Sequence, residues 1–132
     1  MQLFLIFLPF LTVSVFGLQD NCQCSSFDPI PAGDILSRKQ SDISHNFGRN
    51  FLEKNVKFEK RLGCFIEMSC EFSSQKPSRN VLYLETNDGQ MFSQSVKYGS
   101  SPYWPRLTCN RKRQWVYKSI ELKNVACLAV FN

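Results

Sequence analysis

An alternation of apolar and polar side chains predicts the clearest strand of the chain, over residues Cys64 to Phe72. Even positions carry apolar side chains and cysteines, whereas polar side chains occupy positions 67, 69 and 71. This period of two is typical of a strand that buries one face. Cys64 and Cys70 share the predicted buried face about 20 Å apart, so they cannot form a disulfide with each other.

Two β-hairpins are predicted further along the chain. The Asn-Asp-Gly sequence within residues 86–90 tolerates positive φ angles and indicates the first turn. A polar tip from Asn110 to Arg113 indicates the second turn, and a last strand is predicted from Ile120 to Cys127. Roughly five to seven short strands separated by turns predict a mostly β fold, a small disulfide-stapled β-sandwich. The predicted hairpin strands are 81–85 with 91–96, and 106–109 with 114–117.

The segment before these strands is predicted to be largely irregular. Residues Ser25 to Ser44 are rich in Ser, Asp, Pro and Gly, which indicates loop or extended structure. Apolar residues at positions 43, 47 and 51 are spaced four apart and predict one short helix near residues 42–53. Gly48 and the neighbouring asparagines disfavour this helix.

The N-terminal residues predict export. Residues 1–17 carry no charged side chain and contain an apolar run from Leu3 to Leu11, followed by small residues. This pattern predicts a signal peptide over residues 1–17, cut after Gly17. A buried strand or a membrane anchor is the alternative, but a span needs ~20 apolar residues. We therefore expect residues 18–132 to form one extracellular domain with no membrane span.

Cysteine usage points to an oxidising compartment. All six cysteines lie in the predicted mature part, and an even count in an exported chain predicts three disulfides. A zinc site usually combines several close cysteine pairs or adds histidines, whereas this chain has one Cys-x-Cys pair and one histidine. We expect no metal and no other cofactor. The predicted disulfide cysteines are Cys22, Cys24, Cys64, Cys70, Cys109 and Cys127.

The disulfide pairing is narrowed but not fixed by the sequence. Cys70 lies on the buried face of its strand and is expected to pair with Cys109 or Cys127 in the C-terminal strands. Cys22 and Cys24 are too close together to pair with each other. They are expected to tether the N-terminal segment to the remaining cysteines, including Cys64.

The formal net charge of +5 favours acidic partners such as sulfated glycans or anionic surfaces. The densest basic cluster is Arg111, Lys112 and Arg113 at the second predicted turn, with Lys118 and Lys123 nearby in sequence. These side chains either contact an acidic partner or are merely solvated. Nucleic acid is not an expected partner, because the charge is modest and the chain is exported.

Two tryptophans are candidates for the core or for ligand contacts. Trp115 follows Cys109 in the second hairpin, and its large ring is expected to fill a thin core rather than to form a ligand platform. Trp104 lies in a loop-like stretch beside Tyr103. It is expected either to close one end of the sandwich or to bind a sugar or peptide.

The sequence offers little for catalysis. Paired cysteines leave no thiolate nucleophile, and the chain has no Gly-x-Ser-x-Gly turn that would position a serine near His45. Glu67 and Glu71 are predicted to point outward into solvent, which makes them poor candidates for catalytic acids. We expect no enzyme activity; a small secreted hydrolase or host-defence effector that uses His45 is the alternative.

The six cysteines lie in short segments with distinctive flanks. These segments are Cys22-x-Cys24, Gly63-Cys64, Met68-Ser69-Cys70, Leu107-Thr108-Cys109-Asn110, Gln114-Trp115-Val116-Tyr117 and Val125-Ala126-Cys127. Their order and flanks resemble those of a known family, the nematode-type secreted six-cysteine domains of unknown function. The resemblance covers roughly Cys22 to Cys127 and implies an extracellular domain with three disulfides and no established activity. A basic tip replaces the glycine turn that the family often has before the tryptophan. The ending also resembles a sushi module, which implies protein recognition.

These observations predict a secreted, non-catalytic binding or structural module. A glycan-binding protein that uses the basic hairpin tip is a further alternative. The candidate binding residues are Arg111, Lys112, Arg113 and Trp104.

Overall fold

The computed structural model describes residues 22–71, 76–97 and 104–131. The predicted signal peptide, residues 1–17, lies outside this part of the chain. The described residues form three layers: two short helices, a four-stranded antiparallel sheet and a second four-stranded antiparallel sheet. The predicted mostly β, disulfide-linked fold is therefore confirmed, and a helical layer covers one outer face of the sandwich.

Two helices precede eight strands in the described residues. The helices are α1 (Ile35–Arg38) and α2 (Gln40–Phe47). The strands are β1 (Phe51–Lys54), β2 (Val56–Arg61), β3 (Phe65–Cys70), β4 (Arg79–Thr86), β5 (Met91–Lys97), β6 (Arg106–Cys109), β7 (Trp115–Val116) and β8 (Leu122–Val130).

The first sheet has the strand order β1-β8-β4-β5. Its two central strands are buried continuously, from residue 81 to 86 in β4 and from residue 124 to 130 in β8. The helices cover one face of these strands and the second sheet covers the other. Because both faces are covered, most residues of β4 and β8 are apolar and the alternation typical of a half-exposed strand is lost.

The second sheet has the strand order β2-β3-β6-β7 and packs on the first through one apolar face. Strand β3 keeps the predicted alternation, and Ile66 and Met68 on its inner face are buried. These side chains cluster with Leu82 and Leu84 of β4 and with Leu107 of β6. This cluster is the core of the sandwich.

The helical layer corrects the predictions for residues 25–53. Residues 35–38 and 40–47 are helical rather than extended, because Ile35 and Ile43 are fully buried against the first sheet. The helix predicted near residues 42–53 ends at Phe47, before Gly48 with a φ of 79°. Phe51 instead begins the edge strand β1. Among the described residues, neither helix has the length and apolar sequence that a bilayer-spanning helix requires.

The two predicted hairpins are confirmed, as β4–β5 and β6–β7. The predicted strand over Cys64 to Phe72 is confirmed as β3, although Cys64 has a φ of 61° in the preceding turn and Phe72 lies outside the described residues. The last strand is longer than predicted and reaches Val130. Strands β1 and β2 were not predicted, and they raise the number of described strands to eight.

All six cysteines form disulfides, namely Cys22–Cys64, Cys24–Cys109 and Cys70–Cys127. Cys127 is thus the correct alternative of the two partners predicted for Cys70. The Cys70–Cys127 bond joins β3 of the second sheet to β8 of the first, with 5.6 Å between the Cα atoms. It therefore fixes the two sheets to each other through their shared core.

Removing the bond between the sheets should destabilise the fold. The double variant Cys70→Ala/Cys127→Ala removes a crosslink between two cysteines that are 57 residues apart in sequence. In the chain-entropy description such a crosslink contributes about 4 kcal/mol. Urea unfolding should therefore give a free energy of unfolding lower by about 2–5 kcal/mol. An unchanged free energy would mean that the sheets are held together by packing alone.

Candidate functional site

Two turns of the second sheet lie at the same end of the molecule. Arg61 pairs with Phe65 at the close of the β2–β3 hairpin, and Phe65 also pairs with Thr108 of β6. Strand β6 then enters the turn that leads to β7, where Cys109 pairs with Trp115. This register places residues 61–64 and 109–114 together, and we call these two segments the basic end.

Two disulfides anchor the basic end to the N-terminal segment. Cys22 is bonded to Cys64 of one turn and Cys24 to Cys109 beside the other. The sulfur atoms of Cys22, Cys64 and Cys109 all lie within 4.8 Å of one another. Because each of these sulfurs belongs to a disulfide, the cluster links both turns to a single short segment of chain.

Asn110 fixes the backbone of the β6–β7 turn. Its side-chain oxygen accepts hydrogen bonds from the backbone N–H groups of Lys112, at 3.0 Å, and Gln114, at 2.9 Å. Its backbone N–H donates to the carbonyl of Gln114 at 2.9 Å, and its carbonyl accepts from Arg113 N–H at 3.1 Å. The ability of Asn to bond its own turn in this way accounts for its position here.

The three basic side chains of this turn are exposed and carry no ion pair. Arg111, Lys112 and Arg113 are all exposed, and across residues 22–71, 76–97 and 104–131 none of them lies within 4.0 Å of a carboxylate oxygen. Three like charges are therefore held on a turn whose backbone is internally bonded. Within the described part of the chain, no carboxylate neutralises them by direct contact.

Basic side chains beside the turn have partners, in contrast. Arg61 bridges Glu59 and Glu67, which face each other across β2 and β3. The guanidinium carbon of Arg106 lies 4.5 Å from the ring centroid of Phe65. Hydrogen bonding by Lys57 and the positive charge of Arg61 lower the pKa of Glu59. The outer face of the second sheet is thus locally neutralised, whereas the turn is not.

Lys118 and Lys123, which are near the basic cluster in sequence, are not part of the basic end. Lys118 lies in the turn after β7, and its ammonium nitrogen is 4.7 Å from the ring centroid of Phe92. Lys123 is an exposed residue of β8 in the first sheet.

Two depressions flank the β6–β7 turn and differ in charge. One has a volume of 270 Å³ and is lined by Gln23, Cys64, Cys109, Asn110 and Arg111, with no carboxylate. The other has a volume of 260 Å³ and includes Arg113 and Trp115 together with Asp28 and Glu121. An acidic ligand therefore meets uncompensated positive charge mainly on the Arg111 side.

Both tryptophans contribute to packing. Trp115 is half-buried against the sandwich core, its indole N–H donates to the carbonyl of Ser26 at 3.1 Å, and its ring meets Phe27 edge to face. Trp104 is also half-buried and packs against this core. This packing favours the core interpretation of Trp115 and the closing role of Trp104. Tyr103 lies outside the described residues.

The residues considered for catalysis lie on different layers. His45 is exposed in the last turn of α2, and the neighbouring carboxylate of Asp42 is 3.7 Å from the ammonium of Lys39. Glu67, on the second sheet, contacts Arg61, and Glu71 accepts a hydrogen bond from Asn55. The fold brings neither glutamate to the helical layer that carries His45.

A buried carboxylate beneath α1, paired with an exposed arginine, is a feature that the sequence patterns did not predict. Glu85 of β4 is 6% exposed and lies on the face covered by the helices. Its carboxylate receives two hydrogen-bonding contacts from Arg38 of α1, at 2.8 and 2.9 Å, and one from the amide of Asn124, at 2.8 Å. Arg38 also contacts Asp34 at 3.0 Å. These contacts fasten α1 to the first sheet.

Gly33 belongs to the same arrangement. It has a φ of 60°, and a Cβ atom at this position would collide with the Asn124 side chain. The bend before α1 therefore requires glycine both for its backbone conformation and for the close approach of the asparagine.

Neutralising Glu85 should change how stability depends on pH. Hydrogen bonding from Arg38, and then from Asn124, holds the pKa of Glu85 below its ordinary value of 4.5. Because the pKa is lower in the folded state, the ionised carboxylate stabilises the fold at pH values above the ordinary pKa. This stabilisation is lost as the pH falls through the folded-state pKa. Glu85→Gln should therefore unfold at lower temperature than the wild type at pH 7, and the two melting temperatures should converge as pH drops below 4.5.

The control for this measurement is Glu53→Gln, which neutralises an exposed carboxylate on β1. Its melting temperature should follow that of the wild type at every pH. If Glu85→Gln also follows the wild type, the ion pair with Arg38 contributes nothing to stability.

Comparison with known proteins gives no match to a family model, to a curated protein or to a solved structure. The resemblance to nematode-type six-cysteine domains and to sushi modules therefore stays a prediction.

Proposed function

We propose that this protein is a secreted, non-catalytic binding module that binds polyanionic partners through its basic end. Three disulfides in a small β fold agree with an extracellular setting, as does the signal peptide predicted over residues 1–17. The predicted kinship with nematode-type secreted domains belongs to the same proposal. Sulfated glycans and other anionic surfaces are the class of partner that the charge favours.

The observation that carries the proposal is the exposed basic triplet Arg111, Lys112 and Arg113 on a backbone that Asn110 holds in place. A flexible charged loop would lose conformational entropy when it binds, and this loss weakens the complex. Here the turn is already ordered by its own hydrogen bonds and by two disulfides close behind it. Only the side chains remain to be ordered on binding.

The distribution of charge around the triplet supports the same function. The acidic residues on the second sheet near the basic end, Glu59 and Glu67, are already paired with Arg61. They therefore compete little for the arginines of the tip. Attraction between exposed charges is screened within about 8 Å at physiological salt, so binding of this kind should weaken strongly as salt rises.

Charge reversal at the tip tests the proposal. The variant Arg111→Glu/Lys112→Glu/Arg113→Glu should bind immobilised heparin, used here as a polyanion, roughly tenfold or more weakly than the wild type. Each exposed ion pair contributes up to about 1 kcal/mol to the binding free energy. A tenfold change in affinity corresponds to ~1.4 kcal/mol, so the loss of two or three such pairs is enough. The salt concentration needed for elution is the measurement.

A matched control separates local from global charge. Arg49→Glu/Lys54→Glu/Lys76→Glu produces the same change in net charge, and these residues lie near β1 and the start of β4 rather than at the basic end. This control should lose much less retention than the tip variant. Equal losses in the two variants would show that net charge, and not the basic end, governs binding.

A further inference from the structure

Leu62 projects from the basic end into solvent. It lies in the turn between β2 and β3 and is 85% exposed. The only other large apolar side chain that is exposed in the described part of the chain is Leu52, at 49%, on the edge strand β1. A single exposed leucine is common on protein surfaces, so Leu62 gains significance only from its surroundings.

The two segments of the basic end themselves contain basic side chains and no acidic one. The two segments of the basic end read Arg-Leu-Gly-Cys over residues 61–64 and Cys-Asn-Arg-Lys-Arg-Gln over residues 109–114. The carboxylates of Glu59 and Glu67, which pair with Arg61, lie on the strands behind the turn. Leu62 therefore shares one end of the sheet with three cations that form no ion pair with any residue the structure describes.

The leucine and the cations are held in a fixed spatial relation. Gly63 and Cys64 adopt φ angles of 93° and 61°, which form the tight turn behind Leu62. Cys64 is bonded to Cys22, whose sulfur lies within 4.8 Å of the sulfur of Cys109, immediately before the basic turn. The two turns are thus crosslinked at their bases and present their tips together.

We propose that the basic end docks on an anionic lipid surface, with Leu62 entering the interfacial region while Arg111, Lys112 and Arg113 contact lipid phosphates and carboxylates. This inference rests on the proposed function and specifies the partner. Transfer of an exposed leucine side chain from water to the boundary between headgroups and acyl chains is favourable. A sulfated glycan offers no comparable apolar region, so the position of Leu62 favours lipid over glycan.

Neither the basic triplet nor Leu62 alone binds a membrane strongly. A basic residue near an anionic bilayer contributes roughly a fivefold gain in binding, and one leucine at the interface contributes about tenfold if it is largely buried there. Stable attachment to membranes generally needs two such signals together. Binding should therefore be reversible, sensitive to salt and dependent on both turns.

The test is co-sedimentation of the disulfide-bonded protein with lipid vesicles. Wild-type protein is compared on vesicles of phosphatidylcholine alone and of phosphatidylcholine with phosphatidylserine. Binding is expected only to the anionic vesicles. Leu62→Ser should reduce the partition coefficient about tenfold, and the triple charge reversal at residues 111–113 should reduce it about 100-fold.

Leu52→Ser serves as the matched control, because it makes the same chemical change at the other exposed leucine. It should leave vesicle binding unchanged. Circular dichroism and the intact mass of each oxidised variant establish that the fold and the three disulfides are retained.

Retention on heparin, measured for the same proteins, separates this inference from the proposed function. If the wild type is retained on heparin through residues 111–113 but does not bind anionic vesicles, the partner is a glycan and the lipid inference is overturned. The lipid inference is equally overturned if Leu62→Ser binds anionic vesicles as well as Leu52→Ser does. If reversal of the three charges alters neither heparin nor vesicle binding, the proposed function itself fails.

Discussion

The fold depends on the pairing of two strands, β4 and β8, that are buried on both faces. A chain this small can bury only part of its apolar surface, and the central ladder supplies most of its apolar residues to the two cores on either side. The helices complete one core and the second sheet completes the other. Cys127 lies on β8, so its bond to Cys70 ties the second sheet directly to this ladder.

With the sandwich fixed in this way, the basic end is a rigid extension of the second sheet. Strands β3 and β6 run from the core to the two turns, and the disulfides of Cys22 and Cys24 close the turns against the N-terminal segment. The polar side chains at this end therefore need not fill a core. They are left to face solvent or a partner, and this exposure allows three adjacent cations to lie side by side without an ion pair to any described carboxylate.

Sequence patterns predicted the elements that depend only on residues close to one another in sequence. The alternation in β3 and the Asn-Asp-Gly turn after β4 follow from side-chain period and turn conformation. Strand β2 escaped prediction because the exposed Lys60 interrupts its apolar–polar alternation, and β1 because it spans only Phe51–Lys54. Ile35 and Ile43 lie in a sequence rich in turn formers, and only burial against the sheet makes their segments helical.

The candidate site was predictable in composition but not in arrangement. The basic triplet is evident in the sequence, and an asparagine at the start of a polar turn is a recognisable signal for the hydrogen bonds that order it. The position of Leu62 beside that triplet depends on the register of β3 against β6, which sequence alone does not reveal. The burial of Glu85 likewise depends on a partner, Arg38, that lies 47 residues away.

The most direct test of this account is a titration of the isotopically labelled, oxidised protein with phosphatidylserine-containing nanodiscs, monitored by backbone amide chemical shifts. The account predicts that changes in shift and line width are largest at residues 61–64 and 109–114, and that they disappear at high salt. Changes centred on the helical layer, for example around Lys39 and Asp42, would contradict it.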